Sequence, residues 1–192
     1  GGAYLPVMCD KYIIVEGASM YLAGPALVKA AIGQEIDNES LGGATTHSAI
    51  SGTADYHEKD DLSGLNRIRK IMCSLNIDSN TAFEASESKE PKYSSDELIG
   101  IFHPENPDQY DIKEIIARIV DGSNFSEYKK TYGKTIICGT AKIGGINIGI
   151  VANQRKISRT QTGEMQMGGV IYSDSADKAA RFIMNCNQDK IP

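Results

Sequence analysis

The chain has 192 residues and a mass of 20.8 kDa, with 20 Lys+Arg against 25 Asp+Glu, so its net charge is −5. Hydrophobic residues make up 41% and the mean hydropathy is −0.29, values of a globular chain able to bury a core rather than of a disordered one. The acidic balance argues against nucleic acid as the main partner, no apolar run approaches the ~20 residues that cross a bilayer, and no secretory signal is expected at the start.

In chain order, Gly1-Gly2-Ala3 leads into an apolar stretch. Small residues at a helix start leave backbone N–H groups open to a ligand, as an oxyanion site requires, although glycine pairs more often mark turns. Residues 12–16 (YIIVE) form a β-rich run, and 19–23 (SMYLA) resume an extended pattern. Gly24-Pro25 then opens a helix over ALVKAAI, with Gly33 as its stop. Residues 33–60 are Gly-, Thr- and Asp-rich and read as surface loop. His47, Asp55, His57, Glu58, Asp60 and Asp61 crowd this stretch, but their spacing fits no metal-ligand motif, so no metal is expected. From Leu62, the positions Leu65, Ile68, Met72 and Leu75 recur at helical spacing.

Residues 76–97 are Ser-rich and charged, contain Pro91, and read as a linker between halves 1–75 and 98–192. In the second half, Asp111 with Glu114 three residues on has the form of a helix start, and Ile112, Ile115, Ile116 and Ile119 supply an apolar stripe. Ser123 is expected to cap a second short helix ending near Gly133. TIICGTAKI and INIGIVA flank Gly144-Gly145 and predict a hairpin. A polar loop over 153–167 carries Arg155, Lys156 and Arg159, either solvated or facing phosphates or an acidic partner. GVIYS predicts a further strand, and Ser173 or Asp174 caps a last helix with apolar positions Ala176, Ala179, Ala180, Ile183 and Met184. Strand-strand-helix thus occurs once in each half, an internally repeated α/β architecture. Cys9, Cys73, Cys138 and Cys186 form no CxxC and read as reduced, buried thiols. The missing initiator Met and the stop at KIP suggest an internal piece of a longer polypeptide.

Residues 1–25, GGAYLPVMCDKYIIVEGASMYLAGP, resemble the oxyanion-hole segment of the crotonase superfamily. The two positions matching that superfamily's hydratase glutamates are Tyr4 and Ala26, so hydration or isomerisation is the weaker reading. The closer resemblance covers nearly the whole chain. LAGPALVKAAIGQEI, LGGATTHSAISGTADY, DELIGI, the run from Ile112 to Gln154 and SADKAARFIMNCNQDKIP are similar to the carboxyltransferase (β) subunits of biotin-dependent acyl-CoA carboxylases. GGAYLPVMCD and LAGPALVKAAIG look more like the methylcrotonyl-CoA than the propionyl-CoA type, while the loop RKISRTQTGEMQMG is longer than that type leads one to expect.

The resemblance implies a crotonase/ClpP-like α/β fold of repeated β-β-α units in two related domains. It implies transfer of CO2 from carboxybiotin, carried by a partner biotin carboxylase/biotin-carrier (α) subunit, to an acyl-CoA, with no metal in this subunit. It also implies a homo-oligomer, a hexamer for the parent, in a bacterial cytoplasm or mitochondrial matrix. Gly1 and Gly2 match the family's oxyanion donors, and Ala3, Gly24 and Pro25 are candidates for substrate contact. The family's second donor set is expected beyond Pro192, so the chain alone is expected to be inactive. The alternative from another class is a noncatalytic acyl-CoA-binding or assembly module.

Overall fold

A computed structural model describes residues 2–75, 85–102 and 109–192. The chain divides into two compact units, Gly1–Cys73 and Ser74–Pro192.

The first unit is built around a short parallel pair, β1 (Ile13–Val15) and β2 (Tyr56–Glu58), with Ile14 opposite His57. Its core is small: Tyr12, Ile14, Ala44 and Ala54, with Ala18 and Met20 packed against them. Ahead of β1 lies the four-residue helix α1 (Tyr4–Val7). Helix α2 (Pro25–Ile32) has Pro at its first turn and ends on Gly33 at φ 73°, the left-handed conformation that glycine adopts without strain. Residues 19–23 do not form the expected strand; Ser19 makes a single bridge to Gly43. The stretch 33–60 is not loop throughout. It holds α3 (Asn38–Gly42), capped by Asp37, which accepts from the Ser40 amide at 2.9 Å, then a π-helical turn (Thr46–Ile50) and β2. Helix α4 (Asp61–Ser74) follows as predicted, but Leu62, Leu65, Ile68 and Met72 are exposed.

The second unit centres on an antiparallel sheet in the order β3 (Phe125–Tyr128), β4 (Ile136–Ile143), β5 (Ile146–Asn153). The β4–β5 hairpin turns at Gly144 (φ 60°) and Gly145 (φ 79°), both in the region that such two-residue turns demand. Ile137, Ala141, Ile148, Ile150 and Ala152 pack with Ile116 and Val120 on one face. The other face receives α7 (Ser173–Gln188), where a Cβ on Gly149 would meet Cys186 and Phe182.

Helix α6 (Ile112–Ala117) starts on Asp111, whose carboxylate accepts from the Lys113 amide at 3.0 Å. It ends earlier than its stripe suggests, so Ile119 is 46% exposed and Val120 takes the buried place. Ser123 does not cap a following helix. Its hydroxyl donates to the Ala117 carbonyl at 2.6 Å and accepts from the Lys92 amide at 2.9 Å, and the chain enters β3 instead. GVIYS forms no strand; Gly169 (φ 81°) ties to the Gln154 carbonyl and the chain turns into α7. That helix starts one residue early, on Tyr172, whose amide donates to Ser175 Oγ at 2.8 Å. The polar loop contains a small ribbon, β6 (Ser158–Arg159) with β7 (Met165–Gln166).

Of the stretch expected to link the halves, residues 76–84 lie outside the described residues. Residues 85–97 are bound to the second unit: Ser86 to Gly145, Lys89 to Gly122, Lys92 to Ser123 and Glu97 to Arg118. A short helix α5 (Leu98–Ile101) comes next. The cysteines correct the expectation of burial: Cys9 and Cys73 are exposed, Cys186 is half-buried and only Cys138 is buried.

Candidate active site

Gly1 lies outside the described residues. Gly2 is exposed, and a Cβ built on it would meet nothing within 4 Å, so the space beside it is open. Ala3 is the N-cap of α1, in a helical conformation and without a capping side chain. The amides that open this helix are therefore not satisfied by a cap. With four residues α1 contributes little macrodipole, so local N–H groups carry any attraction for an anion.

Gly24 and Pro25 lie at the start of α2, Gly24 extended (φ −71°, ψ 167°). Tyr21 packs over Gly24: a Cβ there would be 3.2 Å from its ring. No hydrogen bond joins Gly2 or Ala3 to Gly24 or Pro25 among the described residues. Tyr4, at one hydratase-glutamate position, is 60% exposed, and Ala26, at the other, is exposed too.

The histidines and acids of 47–61 hold the fold together. His47 Nε2 lies 2.6 Å from the Met20 carbonyl, and its ring is edge-on to Tyr12. His57 Nδ1 lies 3.2 Å from Ser48 Oγ, with Nε2 3.5 Å from Glu16. Asp55 is 1% exposed and accepts from the Tyr12 amide at 2.8 Å. Glu58 pairs with Arg67 at 2.6 Å, and Asp60 caps α4 through the Ser63 amide at 2.7 Å.

In the second unit Lys178 is 1% exposed and donates to the carbonyls of Tyr132 at 3.0 Å and Gly133 at 3.5 Å. Burial lowers its pKa to about 8, opposed by the nearby Cys138 and Glu127. Burial likewise pushes the Cys138 thiol up to about 11. The sequence pattern missed Lys178, because it ranked α7 by aliphatics. The buried stripe is Ser175, Lys178 and Phe182, spaced three and four apart, whereas Ile183 and Met184 are exposed. In the basic loop, Lys156 pairs with Asp111 at 3.3 Å, and the Arg155 side chain lies against Gly169.

A family model described as the carboxyl transferase domain matches residues 1–192. The chain is 42% identical to a probable mitochondrial methylcrotonoyl-CoA carboxylase beta chain of Drosophila melanogaster, covering 100% of this chain and 34% of that protein. It is 42% identical to the mitochondrial methylcrotonoyl-CoA carboxylase beta chain of Arabidopsis thaliana, covering 100% and 32%. Among solved structures, transcarboxylase 12S, described as a hexamer with methylmalonyl-coenzyme A and methylmalonic acid bound, superposes with a TM-score of 0.86 at 29% identity, over 100% of this chain and 36% of that one. The chain thus spans about a third of the length of the relatives it matches. The α/β architecture is that of the crotonase-like carboxyltransferases.

Proposed function

The chain belongs to the carboxyl transferase domain family, and from that premise we propose that the whole protein is the carboxyltransferase component of a biotin-dependent acyl-CoA carboxylase. The observation that carries this is the match of the family to every residue of the chain, with methylcrotonoyl-CoA carboxylase beta chains at 42% identity. The substrate class is an acyl-CoA, methylcrotonyl-CoA ahead of propionyl-CoA.

Carboxybiotin, delivered by a biotin carboxylase/biotin-carrier subunit, supplies both CO2 and the base when bound. The task left to this chain is to hold the thioester and stabilise the charge that grows on its oxygen as the acyl carbon loses a proton. Gly1 and Gly2 are assigned the backbone N–H donors for that oxygen, with Ala3, Gly24 and Pro25 against the substrate. The open space beside Gly2 and the uncapped start of α1 support the assignment. This division of labour calls for no metal and no acid/base pair from the chain, which fits Tyr4 and Ala26 at the hydratase positions. The two units are read as parts of two related domains joined over 76–97, a stretch whose residues 85–97 are hydrogen-bonded within the second unit. A homo-oligomer is proposed, a hexamer by analogy with transcarboxylase 12S, in a mitochondrial matrix or bacterial cytoplasm. Among the described residues no helix is long and apolar enough to cross a membrane.

The test is carboxylation of methylcrotonyl-CoA and propionyl-CoA by the full-length protein with its biotin-carrying partner. Carboxylation of methylcrotonyl-CoA at the higher kcat/KM is expected. Hydration of an enoyl-CoA without any carboxylation would overturn the assignment.

A further inference from the structure

We propose that His47 is a positioning residue for the acyl-CoA site: its Nε2–H holds the Met20 carbonyl and so fixes the turn that delivers Gly24 and Pro25 to the start of α2. The inference rests on the reading that Gly24 and Pro25 face the substrate.

A carbonyl only accepts, so the 2.6 Å contact requires the proton on His47 Nε2. In the neutral ring Nδ1 is then an acceptor, and the group facing it is the Ser51 hydroxyl at 3.5 Å. The imidazole is anchored from its own backbone. The His47 amide donates to the Gly43 carbonyl at 3.1 Å, and its carbonyl accepts from the Ala54 amide at 2.9 Å. The ring lies edge-on to Tyr12, a core residue.

Met20 is gripped on both backbone groups by the same short stretch. Its amide donates to the Gly42 carbonyl at 2.7 Å while its carbonyl takes the His47 proton, and Ser19 bridges Gly43. Gly42 makes the grip possible: a Cβ there would overlap the Met20 carbonyl oxygen and sit 3.2 Å from His47 Nε2. Between Met20 and Gly24 a second fastening exists, the Tyr21 hydroxyl donating to Asn38 Oδ1 at 2.9 Å, with the Tyr21 ring laid over Gly24. The turn into α2 is therefore fastened at two places, the Met20 backbone and the Tyr21 hydroxyl, and the His47 contact at Met20 is less exposed than the Tyr21 contact. Without the imidazole the half-buried Met20 carbonyl loses its donor, which displaces the turn. Gly1 and Gly2 belong to a separate segment, so the effect falls on acyl-CoA binding rather than on the chemical step.

The test uses the full-length carboxylase with its biotin-carrying partner. His47→Leu is expected to raise KM for the acyl-CoA about tenfold, the effect of one lost hydrogen bond, with kcat within about twofold. His47→Gln, whose amide offers a donor at the place of Nε2, is expected to bring KM back to within about threefold of the wild type. A folded His47→Leu enzyme with the wild-type KM overturns the proposal. So does a fall in kcat at constant KM, or a Gln variant no better than Leu. If His47→Leu does not fold, His47→Asn decides, because its shorter amide stays polar but falls short of the Met20 carbonyl: a KM raised at least about threefold supports the proposal, and an unchanged KM overturns it. A wild type that carboxylates no acyl-CoA at all removes the functional reading instead, and the positioning role falls with it.

Discussion

The two units are held together by different physics. The second has a self-contained design: an antiparallel sheet with an apolar helix face on one side and α7 on the other, and contacts that mostly join neighbouring strands. Among the described residues the first has a buried core of Tyr12, Ile14, Ala44 and Ala54 and a two-stranded parallel pair whose partners are 43 residues apart. Polar ties make up the difference: Asp55 to Tyr12, His47 to Met20, His57 to Ser48, Glu58 to Arg67. Tyr4, Leu5, Met8, Leu22, Leu27 and Ile32 remain exposed there. The contrast teaches that the unit assigned the acyl-CoA chemistry is the one fixed by single hydrogen bonds, whereas the sheet unit draws its stability from packing.

The largest expected effect separates chemistry from folding. In the full-length enzyme Gly2→Val keeps its backbone N–H, but its β-branched side chain would crowd the thioester at the proposed donor and should lower turnover by about 10²–10³, the range for losing one oxyanion donor, with stability unchanged because nothing of the chain lies within 4 Å of the new Cβ. Steady-state kinetics beside a thermal melt checks this; full turnover would remove the catalytic role proposed for Gly2.

The converse holds in the sheet. Gly139 faces Glu127 across β3–β4, and a Cβ there would overlap the Ser126 carbonyl and the Phe125 ring. Gly139→Ala should cost about 3 kcal/mol in a denaturant melt, as overpacking does, while the acyl-CoA KM of the folded enzyme stays put. A shifted KM would break the separation of the two units.

A third effect depends on pH. Lys178 titrates near 8 when folded against an ordinary 10.5, so unfolding takes up a proton between those values and stability rises with pH across that window. Cys138 works in the opposite direction. Its folded value near 11 lies above the ordinary 9.0, so unfolding releases a proton and stability falls from pH 9 to 11. Stability should therefore climb between pH 8 and 9, by up to about 1.4 kcal/mol per unit, then flatten. Lys178→Met should abolish the climb; denaturant melts of both proteins at half-unit intervals measure it.

The smallest effect is local. Asp111→Ala removes the cap of α6 and should cost about 1 kcal/mol by the same melts. Burial works to raise the Asp111 pKa, but hydrogen bonds from Gln154, the Lys113 amide and Lys156 outweigh it and hold the carboxyl below its usual range.

Local signals were enough wherever the responsible partners are near in sequence. The Gly144-Gly145 hairpin, the Asp111 cap, the Pro25 start and Gly33 stop of α2, and α4 all follow from residues within one turn of each other. The family resemblance, too, was legible in short motifs, including the glycines at the start of the chain. What the sequence by itself could not determine depends on distant partners. β2 exists only because Tyr56–Glu58 meets β1, and β3 only because Phe125–Tyr128 meets β4; neither segment alternates clearly enough to announce itself. Ser123 has the sequence form of a helix cap, but its hydroxyl is bound to Ala117 and Lys92, far from it in sequence or on the other side of the turn. Lys178 is inside because two carbonyls at Tyr132 and Gly133 need a donor there, a demand that outweighs the cost of burying its amine and turns the aliphatics of α7 outward. His47 gains its place in the same way. Its ring becomes specific only when folding brings the Met20 carbonyl, 27 residues away, within 2.6 Å.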